Sequence, residues 1–267
     1  MERELTQLVQ TITQAGARAR ELAARGFEVH TKKDRSPVTT ADLEVNRILH
    51  EMQQTHFPED GWLSEESPDD PARLEKPRVW IIDPIDGTRA YVNRLPEYCI
   101  SVALVEKGKP VLAAIFNPST DELFTAIRGQ GLRVNGKPMT LHPVQDPPAL
   151  VMVSPREYRN GRWASLDGLV QCRPMSSIAY ALALVAAERI HATITIEPQN
   201  EWDLAAGVLL IEESGGAVTD GAGDRFTFNQ EMPRFQGVIA VAATAGGELL
   251  PLLQTHVDQA RVERRRA

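Results

Sequence analysis

Four segments place carboxylates where a merely solvated surface has no need of them. Asp42 follows Thr40-Ala41 at the head of an apolar-periodic stretch, and Glu65-Glu66 follows Gly61-Trp62-Leu63-Ser64. Asp83-Pro84-Ile85-Asp86-Gly87-Thr88 follows the apolar run Val79-Trp80-Ile81-Ile82, and Trp202-Asp203 opens a further apolar stretch. An Asp at the end of a strand delivers its side chain at the carboxyl end of a sheet, where open α/β sheets bind ligands. Pro84 fixes φ and predicts a turn. Asp86 is then re-aimed so that two carboxylates and the Ile85 carbonyl converge. Gly87 permits close backbone approach, and Thr88 is expected to open a helix whose first N–H groups suit an anion.

Asp83 and Asp86, joined by Glu65 and Asp203, repel one another unless a cation lies between them. An all-oxygen donor set suits Mg²⁺, Mn²⁺ or Ca²⁺ rather than zinc. Mg²⁺ keeps positions open for water and substrate phosphate. Two or three such ions can activate a water and stabilise a leaving alkoxide, so the chemistry suggested is metal-assisted hydrolysis of a phosphate ester. Each segment alone also has a plainer reading: an Asx-turn at Asp83-Pro84, N-caps at Asp42 and Asp203, and a solvated acidic loop at Glu65-Glu66 with Asp69-Asp70.

The elements that must hold these residues follow from periodicity. Residues 3–25 predict an amphipathic helix through Leu5, Leu8, Val9, Ile12, Ala15, Ala19, Leu22 and Ala23, closed by Gly26, and a second helix follows Asp42. Strands are predicted at 79–82, 99–105, 111–116 and 123–127, with 106–110 as a hairpin. Residues 143–148, rich in proline, read as a linker. Beyond it come strands at 150–154, 192–196 and 237–243, and helices at 178–191, 203–214 and 248–261, with Gly215-Gly216 as a left-handed stop. This alternation predicts an α/β fold in two halves, 1–145 carrying Glu65 and the Asp-Pro-Ile-Asp-Gly-Thr motif and 146–267 carrying Trp202-Asp203.

Composition excludes several classes. The chain has 267 residues, 42% hydrophobic and 24% charged, which rules out fibrous or mainly disordered protein. A net charge of -7 argues against a nucleic-acid polymer or a membrane surface as partner. Cys99 and Cys172 cannot make a disulfide framework, and the charged start Met1-Glu2-Arg3-Glu4 is no secretory signal. A cytoplasmic protein is expected. The six histidines have no metal-ligand spacing, and Arg264-Arg265-Arg266 is expected to be a solvated end.

The carboxylate segments, taken in order, make the sequence similar to the inositol monophosphatase superfamily of magnesium-dependent, often lithium-sensitive phosphomonoesterases. Its pattern is an Asp, a Glu-Glu pair, Asp-Pro-(Ile/Leu)-Asp-Gly-Thr, then Trp-Asp with Gly-Gly. Here these stand as Asp42, Glu65-Glu66, Asp83 to Thr88, Trp202-Asp203 with Ala205-Ala206-Gly207, and Gly215-Gly216. The resemblance implies a layered αβαβα sandwich of the inositol monophosphatase and sugar phosphatase type, with the active site between the halves. It implies Mg²⁺ ligands at Glu65, Asp83, the Ile85 carbonyl, Asp86 and Asp203, with Asp42 and Glu66 near a third, weaker ion. It also implies Mn²⁺ as a substitute and Li⁺ and Ca²⁺ as inhibitors. Thr88, polarised by Asp42, would help deprotonate the attacking water together with Glu65. Gly87 and Thr88 N–H groups would take the phosphate, and Asp86, Arg89 and Asp203 would line the substrate. Direct in-line attack without a phospho-enzyme is expected, by a monomer or homodimer acting on a small phosphate ester.

Within that superfamily the segment after Thr88 departs from the inositol monophosphatases, which continue with Asn-Phe and a Gly-x-Pro turn. Arg89-Ala90-Tyr91, Tyr98, Lys107 to Val111 and Pro58 to Glu66 look more like the bacterial 3'(2'),5'-bisphosphate nucleotidases, which convert adenosine 3',5'-bisphosphate to AMP. Arg89 suits a second substrate phosphate. Inositol-1-monophosphatase is the alternative, and Arg-Ala at 89–90 also resembles some histidinol-phosphate phosphatases. Glu197 matches the monophosphatases' inositol-contacting glutamate only with a one-residue gap. A binding protein that keeps the fold without turnover is the alternative of a different class; the complete ligand set speaks against it.

Overall fold

The computed structural model describes residues 1–32, 36–140 and 148–266, and side chains as far as 262. Most of the expected linker, the 145/146 boundary, His142 and the Arg264–Arg266 side chains lie outside the described residues.

The chain begins with helix α1 (Glu2–Arg25), a small hairpin of β1 (Val29–Thr31) and β2 (Pro37–Thr39), and helix α2 (Thr40–His56). A seven-stranded sheet follows: β3 (Gly61–Ser64), β4 (Arg78–Asp86), β5 (Cys99–Glu106), β6 (Lys109–Asn117), β7 (Glu122–Ile127), β8 (Leu132–Val134) and β9 (Lys137–Pro138), in that spatial order. Its β3–β4 pair is parallel and the remaining pairs are antiparallel. The short helix α3 (Thr88–Val92) leaves the end of β4.

The second half contributes β10 (Leu150–Val153), helix α4 (Pro155–Arg159), β11 (Gln171–Pro174), helix α5 (Ile178–Ala186), β12 (Ala192–Asn200), helix α6 (Glu201–Ser214), β13 (Ala217–Thr219), β14 (Arg234–Val241) and helix α7 (Gly246–Arg266). Its five strands form a mixed sheet in the order β11-β10-β12-β14-β13.

Strand alternation sorts these elements into layers. Trp80, Ile82, Ile100, Val102, Leu104, Leu112, Ala114 and Phe116 face α1 and α2. The intervening residues Val79, Ile81, Ala103, Val105, Ala113 and Ile115 face α5 and α6. Those two helices are apolar all round because they are covered on both sides, the second cover being Met152, Val238 and Ala240 of the smaller sheet. The far face of that sheet, with Val151, Val153, Ile194, Ile239 and Val241, packs on Leu249, Leu253 and Val257 of α7. The result is the αβαβα sandwich, whose middle layer, α5 and α6 from the second half, packs against both sheets. The small residues after Asp203 serve that layer: a Cβ on Gly207 would lie 2.5 Å from Leu182 Cβ, so α5 and α6 cross too closely for a side chain.

Several boundaries differ from expectation. The helix expected over 178–191 stops at Ala186, and Glu188 takes a left-handed φ of 56° while its carboxylate accepts from Thr244 N. An Ala/Leu run carries no stop signal, so this tertiary clamp sets the end. The helix expected from Asp203 starts at Glu201, with Asn200 as the N-cap. The last helix spans 246–266 rather than 248–261, and β14 starts at Arg234 rather than Gly237. No helix among the described residues is long and apolar enough to cross a membrane.

Candidate metal centre and its cleft

The turn expected at Pro84 is instead a β-bulge. Asp83 pairs with Ser101 and Asp86 with Cys99, so Pro84 and Ile85 together oppose the single Ile100, and β4 continues to Asp86. Pro84 has no N–H to give the ladder, and Ile85 N donates to Asp83 Oδ1 at 3.0 Å, so the Asx-turn is present as well. The bulge turns Asp83 and Asp86 toward one side. Gly87 then takes φ 91°, and a Cβ there would meet the Glu97 carbonyl at 2.7 Å.

Asp203 arrives from the other half of the chain, on the first turn of α6. It is the third helical residue, and its Oδ2 accepts from Asn200 N at 2.6 Å, so it caps the helix as well as facing the cleft. Carboxylate oxygens of Asp83, Asp86 and Asp203 lie within 4.8 Å of one another. This all-oxygen donor set, drawn from β4 and α6 and mostly buried, fits a hard divalent cation.

Asp42 is buried, and Thr39 N and Thr39 Oγ1 donate to its Oδ2 at 2.8 and 2.5 Å. Its Oδ1 is 3.1 Å from Thr88 Oγ1, which is also 3.1 Å from the Ile85 carbonyl; the one hydroxyl proton can serve either acceptor. Asp42 therefore has a capping role and holds Thr88, as expected. Glu65 lines the same cleft but stands outside the close trio. Its Oε1 accepts from Lys32 Nζ at 2.8 Å, and Glu66 Oε1 accepts from the same ammonium at 2.6 Å.

The electrostatics match this crowding. Burial, reinforced by neighbouring carboxylates, pushes Asp83 and Asp203 well above the usual carboxylate range. Burial also raises Asp86 to about 7, although Ser177 Oγ and Ala179 N each donate to it at 2.6 Å. Glu66 is raised by burial to about 7, against the pull of Lys32, and burial raises Asp42. Burial disfavours the Lys32 ammonium, but Glu65 and Glu66 outweigh it and its pKa goes up. Such a site gains by taking up positive charge.

Glu65, Asp86, Thr88 and Asp203 line a cleft of ≈ 550 Å³. Arg89 on α3 lines it and is exposed. Glu197 lines its wall from the bulge of β12 between Thr195 and Pro198, opposite Gly237 at φ 84°. Sequence reasoning missed Lys32, Ser177, Arg156 and Arg159. Ser177 had a signal, a serine just before an apolar helix, and it does cap α5 by accepting from Tyr180 N. Its second bond, to Asp86, had none. Lys32 sits in a polar loop and carried no signal.

Comparison with known proteins gives this geometry a lineage. The family model described as the inositol monophosphatase family matches residues 1–260. Nus factor SuhB of Escherichia coli (strain K12) is 29% identical over 224 residues, covering 78% of this chain and 83% of that one. A histidinol-phosphatase of Chlorobaculum parvum is 31% identical over 209 residues, covering 73% and 77%. Among solved structures, an IMPase of Thermotoga maritima superposes with a TM-score of 0.84 at 26% identity, covering 98% of this chain and 99% of that one. The 2'AMP-bound SaIMPase-II gives a TM-score of 0.81 at 20% identity over the full length of both chains, a likeness of fold. The chain belongs to the inositol monophosphatase family, a family of phosphatase-type hydrolases.

Proposed function

We propose that this protein is a Mg²⁺-dependent phosphomonoesterase, and that its substrate is a nucleoside 3'(2'),5'-bisphosphate such as adenosine 3',5'-bisphosphate, converted to AMP and phosphate. The observation that carries the first part is the approach of Asp83, Asp86 and Asp203 within 4.8 Å, with Asp86, Asp203 and Thr88 lining the cleft and Asp42 Oδ1 3.1 Å from the Thr88 hydroxyl. Glu65, Asp83, the Ile85 carbonyl, Asp86 and Asp203 are the proposed ligands of the catalytic ions, and Asp42 and Glu66 the residues near a third. Bound Mg²⁺ supplies positive charge to the phosphoryl oxygens and lowers the pKa of a water.

The chain's own groups do the rest. The Thr88 hydroxyl donates to Asp42, which leaves its oxygen free to accept from a water entering from the cleft. Asp42, buried and raised in pKa, is suited to share that proton. Glu65 holds Lys32 through Oε1, which leaves Oε2 for a metal. The Gly87 and Thr88 N–H groups are the proposed donors to the phosphate. Arg89 at the cleft mouth supports the bisphosphate preference.

Glu197 on the cleft wall favours a second reading, because a carboxylate there can accept from the hydroxyls of inositol 1-phosphate or pair with the amine of histidinol phosphate. Phosphate release under Mg²⁺ from adenosine 3',5'-bisphosphate, inositol 1-phosphate, histidinol phosphate and fructose 1,6-bisphosphate, compared by kcat/KM, tests the choice. Adenosine 3',5'-bisphosphate is expected to lead by at least about tenfold; a lead for inositol 1-phosphate or histidinol phosphate overturns the nucleotidase reading.

A further inference from the structure

The wall of the cleft opposite Thr88 is built on a buried glutamate that the chemistry above does not use. Glu157, on α4, is 3% exposed. Its Oε1 accepts from Ile196 N at 2.9 Å and Glu197 N at 3.2 Å, and its Oε2 accepts from Trp163 Nε1 at 3.2 Å. It thus fastens α4 to the bulge of β12. Ser154 adds a second tie: its hydroxyl accepts from Glu157 N and lies 3.3 Å from Glu197 Oε2.

Arg156 and Arg159 flank this anchor, three residues apart and so on one side of the helical turn, and both line the cleft. Arg156 Nε lies 3.4 Å from Glu197 Oε1, which offsets one positive charge. Among the described residues Arg159 and Arg89 have no carboxylate partner, and they line the same cleft. Two uncompensated guanidinium groups match the charge of about −1.5 to −2 on a phosphate ester near pH 7, and guanidinium forks suit its oxygens.

We infer that the α4 wall is a subsite for a second phosphate on the substrate, with Arg159 as its principal ligand, Arg156 and Arg89 beside it, and Glu157 as the positioning residue that holds the wall. The inference rests on the phosphomonoesterase reading, which assigns the scissile phosphate to the carboxylate end of the cleft. It adds to Arg89, which the sequence already offers for a second phosphate, Arg159 and Arg156, which no motif marks. A nucleoside and a sugar bisphosphate share this chemistry.

Two matched pairs separate them: adenosine 3',5'-bisphosphate against adenosine 3'-phosphate, and fructose 1,6-bisphosphate against fructose 1-phosphate. The parent is expected to prefer the bisphosphate in at least one pair. Arg159→Gln, and the double variant with Arg156→Gln, are expected to cut that preference in kcat/KM by about 10- to 100-fold. Glu157→Gln turns an amide N–H toward a backbone or indole donor; it should raise KM for the bisphosphate severalfold with little change in kcat, at unchanged circular dichroism. Equilibrium dialysis of the same four esters, with Ca²⁺ holding turnover, reads the preference as a ratio of Kd values. Absence of the preference in both pairs, its survival in the arginine variants, or an equal loss on both members of a pair overturns the subsite. Should no ester be hydrolysed, the phosphatase reading alone falls, and the dialysis ratios still decide the subsite.

Discussion

Replacing Asp86 by Asn should stabilise the metal-free protein while abolishing its activity. Asp86 is 8% exposed and shares its site with Asp83 and Asp203. Burial raises its carboxyl from 3.8 to about 7. A raised folded-state pKa means that the folded protein holds this proton more tightly than the unfolded chain, so stability falls as pH climbs from about 4 toward 7 and is flat above that. At ~1.36 kcal/mol per pH unit, the difference sets an upper limit of about 4 kcal/mol on what ionised Asp86 costs the metal-free fold at pH 8. An Asn Oδ1 can still accept from Ser177 Oγ and Ala179 N, so the gain is retained in large part, roughly 2–3 kcal/mol. For a chain of this size that corresponds to a Tm higher by about 4–12 °C. Scanning calorimetry in EDTA at pH 5 and pH 8 is the assay: the variant should gain at pH 8 and little at pH 5. With saturating Mg²⁺ the order should reverse, because metal stabilises only the parent. A variant less stable than the parent at pH 8 in EDTA, or stabilised by Mg²⁺ as strongly as the parent, would refute the reasoning.

Thr88→Val removes the hydroxyl beside Asp42 and should lower kcat by about 10²–10⁴ with KM nearly constant, and Thr88→Ser should restore most of it; steady-state kinetics on both variants checks this. Glu201→Ala strips the acceptor from Asn229 N and Gln230 N at a fully buried site, so it should destabilise by about 2–5 kcal/mol. Burial raises Glu201 from 4.5 to about 7, so the parent carries a loss of stability between those pH values that the alanine variant lacks; the gap in urea midpoint should narrow between pH 5 and pH 7. Gly207→Ala drives a methyl into Leu182 and should cost about 1–3 kcal/mol, read as a lower urea midpoint with unchanged slope.

The parts of the fold and site that could be read from sequence are those written in local chemistry. The apolar steps of α1, the alternation and turn of the β5–β6 hairpin, and the Gly215 stop of α6 each carry their own signal. Asp83, Asp86 and Asp203 stood out because carboxylates at strand ends and helix starts are conspicuous against apolar runs. Proline removes a ladder bond in a turn and in a bulge alike, so the bulge that accompanies the Asx-turn at Pro84 is defined only by the partner strand β5. The bulge that carries Glu197 likewise has no local signature and is defined by its pairing with β14. Lys32, Ser177 and Glu157 act through contacts 33 to 91 residues away in sequence, which no local pattern encodes. The short strands β3, β8, β9, β11 and β13 are too brief for alternation to register; their neighbours in the sheets define them.

The central claim is that the carboxylate trio holds the divalent cation on which phosphate release depends. Titrating phosphate release from adenosine 3',5'-bisphosphate and inositol 1-phosphate against Mg²⁺, for the parent and for Asp83→Asn and Asp203→Asn, tests it most directly. The parent should be silent in EDTA and rise to a plateau with Mg²⁺, and both variants should stay at least about 10³-fold below that plateau at every Mg²⁺ concentration. A parent that releases phosphate equally well in EDTA, or variants that match it under Mg²⁺, would contradict the account.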